Sequence, residues 1–202
     1  MATNNAWNSS NPVEIAKGGT NATSMATSTG IVKYDGTRLV TSSTALIDSS
    51  NRMTNTSQPA FAAFMNTGVT NVTGDGTTYT VVWDSESFDQ GGNFSSTTFT
   101  APISGLYRYE VLIGLAGVTA LHTALLVQLT VAGFSWQVIR CNPGTIQDGG
   151  GFLNLCGTAL ISTTSGQGVV IHVTVSGSTK TIGLTGVIGA ELFNWFSGSL
   201  VC

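Results

Sequence analysis

Charge is scarce in this sequence. Of 202 residues only 8% are Asp, Glu, Lys or Arg, against about a quarter in an ordinary soluble domain. A helical bundle or coiled coil, whose exposed faces carry many Glu and Lys, is therefore excluded. The seven Lys and Arg are scattered singly and the net charge is −3. With no basic stripe to follow a phosphate backbone, neither nucleic acid nor an anionic membrane surface is an expected partner. Cysteine is also sparse, at three residues, with Cys141 and Cys156 bracketing one stretch and Cys202 at the end. The first residues lack the basic and apolar regions of a secretory signal, so the chain reads as a piece of a longer protein.

One long stretch free of acid, Lys and Arg runs from Val111 to Ile139. It contains Gly114, Gly117, His122, Gln128, Gly133 and Ser135, and from Leu125 its apolar residues alternate with others. Alternation is the signature of a strand and not of a membrane-spanning helix, so membrane insertion is not expected.

What the sequence does contain is 25 Gly, 30 Thr, 21 Ser and 13 Asn. Hydroxyls and amides supply the polarity that charge does not, and β-branched residues with frequent turn formers predict an all-β chain. Organisation changes near residue 58. Residues 1–57 are rich in Thr, Ser, Asn and Gly, have almost no large apolar side chains, and cannot bury enough surface to fold alone. Two short strand-like pieces, Gly30–Tyr34 and Thr37–Val40, flank Asp35-Gly36, a two-residue hairpin signal. The segment is thus expected to be a linker or a thin, strand-built stalk that needs partner chains.

From residue 58 to 202, strand signals recur about every ten residues, the spacing of a sandwich or jelly roll. Strands are expected over 59–65, 77–83, 93–100, 105–115, 123–132, 134–140, 151–162, 168–176 and 187–201, with a loop over 84–92 and no helix. Alternation assigns Tyr107, Tyr109, Val111 and Ile113 to the core and Arg108 and Glu110, placed to pair, to the other face. By the same rule Val169, Ile171, Val173 and Val175 face inward, and His172 and Thr174 outward. Leu106, Leu112, Leu126 and Val170 fall on outward faces, which suggests that part of the second face is covered by another subunit.

The run Phe99-Thr100-Ala101-Pro102-Ile103-Ser104-Gly105-Leu106-Tyr107 resembles the F-T-A-P-x-x-G-x-Y signature of C1q-like heads, a jelly-roll group shared with the tumour necrosis factor family. Pro59-Ala60-Phe61-Ala62-Ala63 is similar to the family's first strand, and Phe196-Ser197-Gly198-Ser199-Leu200 to its closing strand. Thr164 to Val169 sits where the family has Gly-Asp, with Gln167 in place of the Asp. Over residues 59–202 the resemblance implies a ten-stranded jelly roll that assembles as a homotrimer. In the N-terminal part, Val13 to Ser24 and Gly30 to Val40 resemble shaft-to-tip segments of phage tail fibres and fibrous bacterial adhesins. Together the two resemblances imply the tip of a longer fibre, outside the cell on a virion or bacterial surface.

Catalytic, cofactor and metal signatures are not found. His122 and His172 have no metal-ligand spacing and read as surface or interface residues. Asp84, Glu86 and Asp89 cluster in the expected 84–92 loop, but without the glycine and terminal acid of a calcium loop, so they read as solvated. No nucleophile elbow is present, and Gly149-Gly150-Gly151 is not followed by the Lys and Ser/Thr of a phosphate loop. A Cys141–Cys156 disulfide would close a loop of about 15 residues and contribute up to ~3 kcal/mol; the sequence leaves its formation open. The expectation is a trimeric, non-enzymatic binding head that recognises a cell-surface glycan or outer-membrane component. The alternative is a structural head that trimerises and caps the fibre without a ligand of its own. No ligand-contacting residue is singled out.

Overall fold

The computed structural model describes residues 30–37, 39–47 and 50–202; Val13 to Ser24 of the fibre-like resemblance lie outside them. By backbone contacts the chain divides into two units, Met1–Ser57 and Gln58–Cys202. In the first, β1 (Gly30–Tyr34), β2 (Leu39–Ile47) and β3 (Met53–Asn55) form an antiparallel sheet in that order. The hairpin at Asp35-Gly36 is present but is wider than a two-residue turn. Its closing pair is Tyr34 and Leu39, because the Asp35 carboxylate caps the Thr37 N–H and the Tyr34 hydroxyl donates to the Gly36 carbonyl. Val32, Tyr34, Ile47 and Met53 of this sheet are exposed.

The second unit is a sandwich. Its strands are β4 (Ala60–Phe64), β5 (Val69–Thr73), β6 (Thr78–Thr80), β7 (Ser85–Gln90), β8 (Phe94–Ser95), β9 (Thr98–Thr100), β10 (Gly105–Ala116), β11 (Ala124–Val131), β12 (Phe134–Cys141), β13 (Leu153–Thr163), β14 (Gly168–Ser176), β15 (Ile182–Leu184) and β16 (Trp195–Leu200). One layer runs β13-β10-β16-β4-β7, with β15 and β5 continuing it beyond the end of β16. The other runs β12-β11-β14-β9-β8, with β6 also against β14. All pairings are antiparallel, and the two five-stranded layers form an all-β jelly-roll sandwich, the fold expected from the sequence.

Three local expectations are corrected. The 84–92 stretch is not a loop: it contains β7, an edge strand on β4 whose side chains are largely exposed, so it needs no apolar alternation. An additional strand, β5, lies in the interval left between the strands expected over 59–65 and 77–83. The expected last strand, 187–201, is regular only over Trp195–Leu200. Among the described residues the sole helical element is a 3-10 turn at Pro143–Thr145. The 111–139 stretch forms strands, and no helix among the described residues is long and apolar enough to cross a membrane.

Both predicted inward sets are buried: Tyr107, Tyr109, Val111 and Ile113 on β10, and Val169, Ile171, Val173 and Val175 on β14. Between the layers Phe61 stacks on Phe94 and Phe99 at centroid distances of 4.9 and 4.6 Å and meets Phe196 edge-on at 4.9 Å. Such contacts add to the area term of burying large rings. The signature residues turn out to be the joint between the layers. Phe99 lies in this aromatic core, Ala101 exchanges backbone bonds with Gln167 and Gly166, and the Tyr107 hydroxyl donates to the Ile103 carbonyl at 2.9 Å. Gly105 is required because a Cβ there would sit 2.5 Å from Leu200 Cδ1 and 2.6 Å from the Cys202 carbonyl oxygen. Gln167, where the family has Asp, accepts the Thr164 N–H through Oε1.

Candidate functional site

Cross-strand registers place the solvent-side residues of the β13-β10-β16-β4-β7 layer in rows. One row is Cys156, Leu112, Trp195 and Phe64; the next is Thr158, Glu110, Ser197, Ala62 and Phe88; the third is Leu160, Arg108, Ser199 and Ala60. Apart from Ser85, the β7 partner of Phe64, the first row is apolar. In the other two, small residues in the middle leave a shallow hollow of about 240 Å³, walled by Phe88 on one side and by Arg108 and Glu110 on the other. Arg108 Nη1 and Glu110 Oε1 are 4.0 Å apart, with side chains 60% and 44% exposed, so this ion pair contributes little to stability. Phe88 and Leu160, at opposite margins of the layer, are 52% and 56% exposed.

A second apolar surface lies on the edge of the other layer. Among the described residues β12 is hydrogen-bonded only to β11, and Phe134 and Trp136 on it are exposed. An edge strand with free backbone groups and exposed aromatic rings invites a partner.

The three acids singled out in the sequence do not converge. Asp84 is a loop clamp, its two oxygens accepting the N–H groups of Asn66 and Thr67 at 2.5 and 2.9 Å. Glu86 is exposed. Asp89 Oδ2 accepts the Phe94 N–H, which joins β7 to β8, while its Oδ1 is buried without a partner. No group of three or more His, Cys, Asp or Glu able to hold a metal occurs among the described residues.

His122 is a correction: it is fully buried, not a surface residue. The loop after β10 folds back on itself, so that Nδ1 accepts the Thr119 N–H at 3.0 Å and the His122 carbonyl accepts the Gly144 N–H at 2.9 Å. With Nδ1 an acceptor, the neutral ring carries its proton on Nε2, which has no partner. His172 does face outward, within 3.0 Å of the Thr80 hydroxyl, and burial pushes its pKa down. Cys141, Cys156 and Cys202 are free thiols. Cys141 packs toward the core with Ile139, and burial pushes its thiol pKa up. Cys156 shares the outward parity of Asn154 and Thr158 on β13.

No protein-family model matches the chain, and no curated protein sequence does. Among solved structures, the globular domain of zebrafish complement 1qA protein is similar over 71% of this chain and 98% of its own, at 18% identity and TM-score 0.49. Murine APRIL at pH 8.0 is similar over 71% and 99%, at 10% identity and TM-score 0.48.

The end of the sandwich farthest from Gln58 carries a larger hollow that the sequence did not reveal. It is about 630 Å³ and is bordered by residues around β5, the end of β10, Phe152 and the 181–188 stretch. Its lining comes from four separate chain segments, and no single motif marks it.

Proposed function

We propose that residues 58–202 form a homotrimeric, non-enzymatic head at the tip of a fibre, recognising a ligand on a cell surface, with residues 1–57 as the adjoining stalk. The observation that carries this reading is the apolar row Cys156, Leu112, Trp195 and Phe64 on the solvent side of a sheet. A monomer gains nothing by leaving it there. The aromatic edge at Phe134 and Trp136 is a different surface from that row. Contact between two unlike patches of one chain is heterologous, and a heterologous contact that closes makes a ring. The exposed Val32, Tyr34, Ile47 and Met53 support the stalk assignment, since a three-stranded sheet needs one apolar face covered. Three copies at one tip turn weak individual sites into firm attachment by avidity. The dispersal of Asp84, Glu86 and Asp89 supports recognition without catalysis. The reading places the protein outside the cell, on a virion or bacterium.

Light scattering after size-exclusion chromatography, on the full chain and on a chain starting at Gln58, tests the assembly. Three times the monomer mass for both is the expected result; a monomer in both overturns the proposal. Binding of the verified trimer to intact bacterial cells separates recognition from the purely structural role, in which the trimer forms but attaches to nothing.

A further inference from the structure

We propose that the 630 Å³ hollow at the far end of the sandwich is a binding site for a neutral saccharide. This rests on the reading of the head as a receptor-binding tip and names the chemistry of its ligand.

Position is the first argument. Gln58 Nε2 donates to the Leu200 carbonyl, and the Leu106 N–H donates to the Cys202 carbonyl. Both ends of the unit are thereby fixed at the Gly105 end of β10. β10 then runs 12 residues to Ala116 at the hollow, roughly 36 Å at the rise of a strand. The hollow is therefore at the end most remote from the point where the stalk joins.

Its lining then restricts the ligand. None of the residues around it is Asp, Glu, Lys, Arg or His, so a charged ligand would lose its hydration with no opposite charge to meet. What the lining does offer is of two kinds. Phe152 and Ile188, 44% and 54% exposed, present apolar surface. Thr70, Thr181 and Thr185 bring hydroxyls and Asn71 brings a carboxamide, groups that both donate and accept. A sugar ring has this same pairing, with apolar C–H faces bordered by hydroxyls that donate and accept. A lipid chain would leave the polar groups unused. The volume lies within the roughly 300–1,000 Å³ of small-molecule sites.

Thr185 supplies an independent observation. Its backbone is fully used, the N–H donating to the Gly114 carbonyl and the carbonyl accepting from Asn194 Nδ2. Yet its hydroxyl, on a residue nine-tenths buried, has no hydrogen-bond partner. A buried polar group without a partner is costly and uncommon; the oxygen itself is closed to solvent, and a turn of the Thr185 side chain about χ1 toward the hollow that this residue lines would let a ligand hydroxyl satisfy it.

The test is saturation-transfer NMR on the full chain with a set of neutral methyl glycosides and neutral oligosaccharides, and with sialylated oligosaccharides as the acidic arm. Thr185→Val, which swaps an unsatisfied hydroxyl for a methyl group of the same shape, should keep the fold and its thermal midpoint. Phe152→Ala and Asn71→Ala alter exposed side chains and should do the same. The expected result is saturation transfer to neutral sugars by the wild type, weakened about tenfold or more by Thr185→Val and Phe152→Ala. Undiminished binding in all three variants overturns the site and leaves the receptor-binding reading standing. Transfer to acidic sugars alone, or to no sugar while the trimer still attaches to cells, overturns the ligand class. Absence of both sugar binding and cell attachment overturns the reading itself and this inference with it.

Discussion

The side-chain amide of Asn194 takes the place of a missing strand opposite Gly114. Its Oδ1 accepts the Gly114 N–H at 2.9 Å, and its Nδ2 donates to the Gly114 carbonyl at 3.0 Å and to the Thr185 carbonyl at 2.6 Å. β16 pairs with β10 only over Tyr107–Leu112, and β15 joins it only at Leu115. Asn194 satisfies the backbone in the gap. All its partners are buried; Asn194→Leu strands the Gly114 N–H and the Thr185 carbonyl, while the Gly114 carbonyl keeps the Thr185 N–H, and the expected loss is about 2–4 kcal/mol. Chemical denaturation of wild type and variant measures it. Asn194→Asp should be worse at neutral pH, because a carboxylate would face two carbonyl oxygens.

Gly198 illustrates a second constraint. A Cβ there would lie 2.6 Å from Phe61 Cε1 and 2.8 Å from Tyr109 Cδ1, both ring atoms in the packed aromatic core, whereas Gly149 has nothing within 4 Å. Gly198→Ala is expected to cost about 1–3 kcal/mol through overpacking, and Gly149→Ala to stay within about 0.5 kcal/mol of wild type. The same denaturation assay compares the two.

These positions show what was legible in the sequence. Tyr107, Tyr109, Val111 and Ile113 could be placed because a strand buried on one face repeats every two residues. The signature from Phe99 to Tyr107 could be read because it builds the joint between the layers. β7 was not legible: as an edge strand with exposed side chains, its sequence has no reason to differ from that of a loop. His122 was misjudged because its burial comes from a loop folding on itself, which leaves no periodic trace. The far hollow gathers Asn71, Phe152 and Thr185 from segments more than thirty residues apart, and only the closed fold brings them together.

Acid should weaken the clamp at Asp84. Partial burial pushes its carboxyl pKa up, but the N–H groups of Asn66 and Thr67 outweigh this and hold it below the ordinary value of 3.8. A folded-state pKa below the unfolded one adds stability that is complete above the unfolded value and is lost as pH falls through the folded one. Asp84→Asn removes that dependence. Thermal midpoints of wild type and Asp84→Asn should therefore differ most near neutrality and converge as pH drops below about 4; a constant difference would mean that the carboxylate is not the source.

Assembly offers the most direct test of the exposed apolar face. Phe88 and Leu160 are more than half exposed, so Phe88→Glu and Leu160→Glu remove almost no packing within the chain, and its thermal stability as a monomer should be preserved. In the proposed trimer each substitution would bury an unpaired carboxylate against a neighbouring subunit, which is far costlier. The expected outcome is a fall in solution mass from trimer to monomer, with near-ultraviolet circular dichroism of the aromatic core unchanged. The same substitutions on the aromatic edge, Phe134→Glu and Trp136→Glu, should give the same fall in mass if the two surfaces meet one another. If only one pair of substitutions dissociates the trimer, the contact is between like surfaces and the ring geometry is wrong.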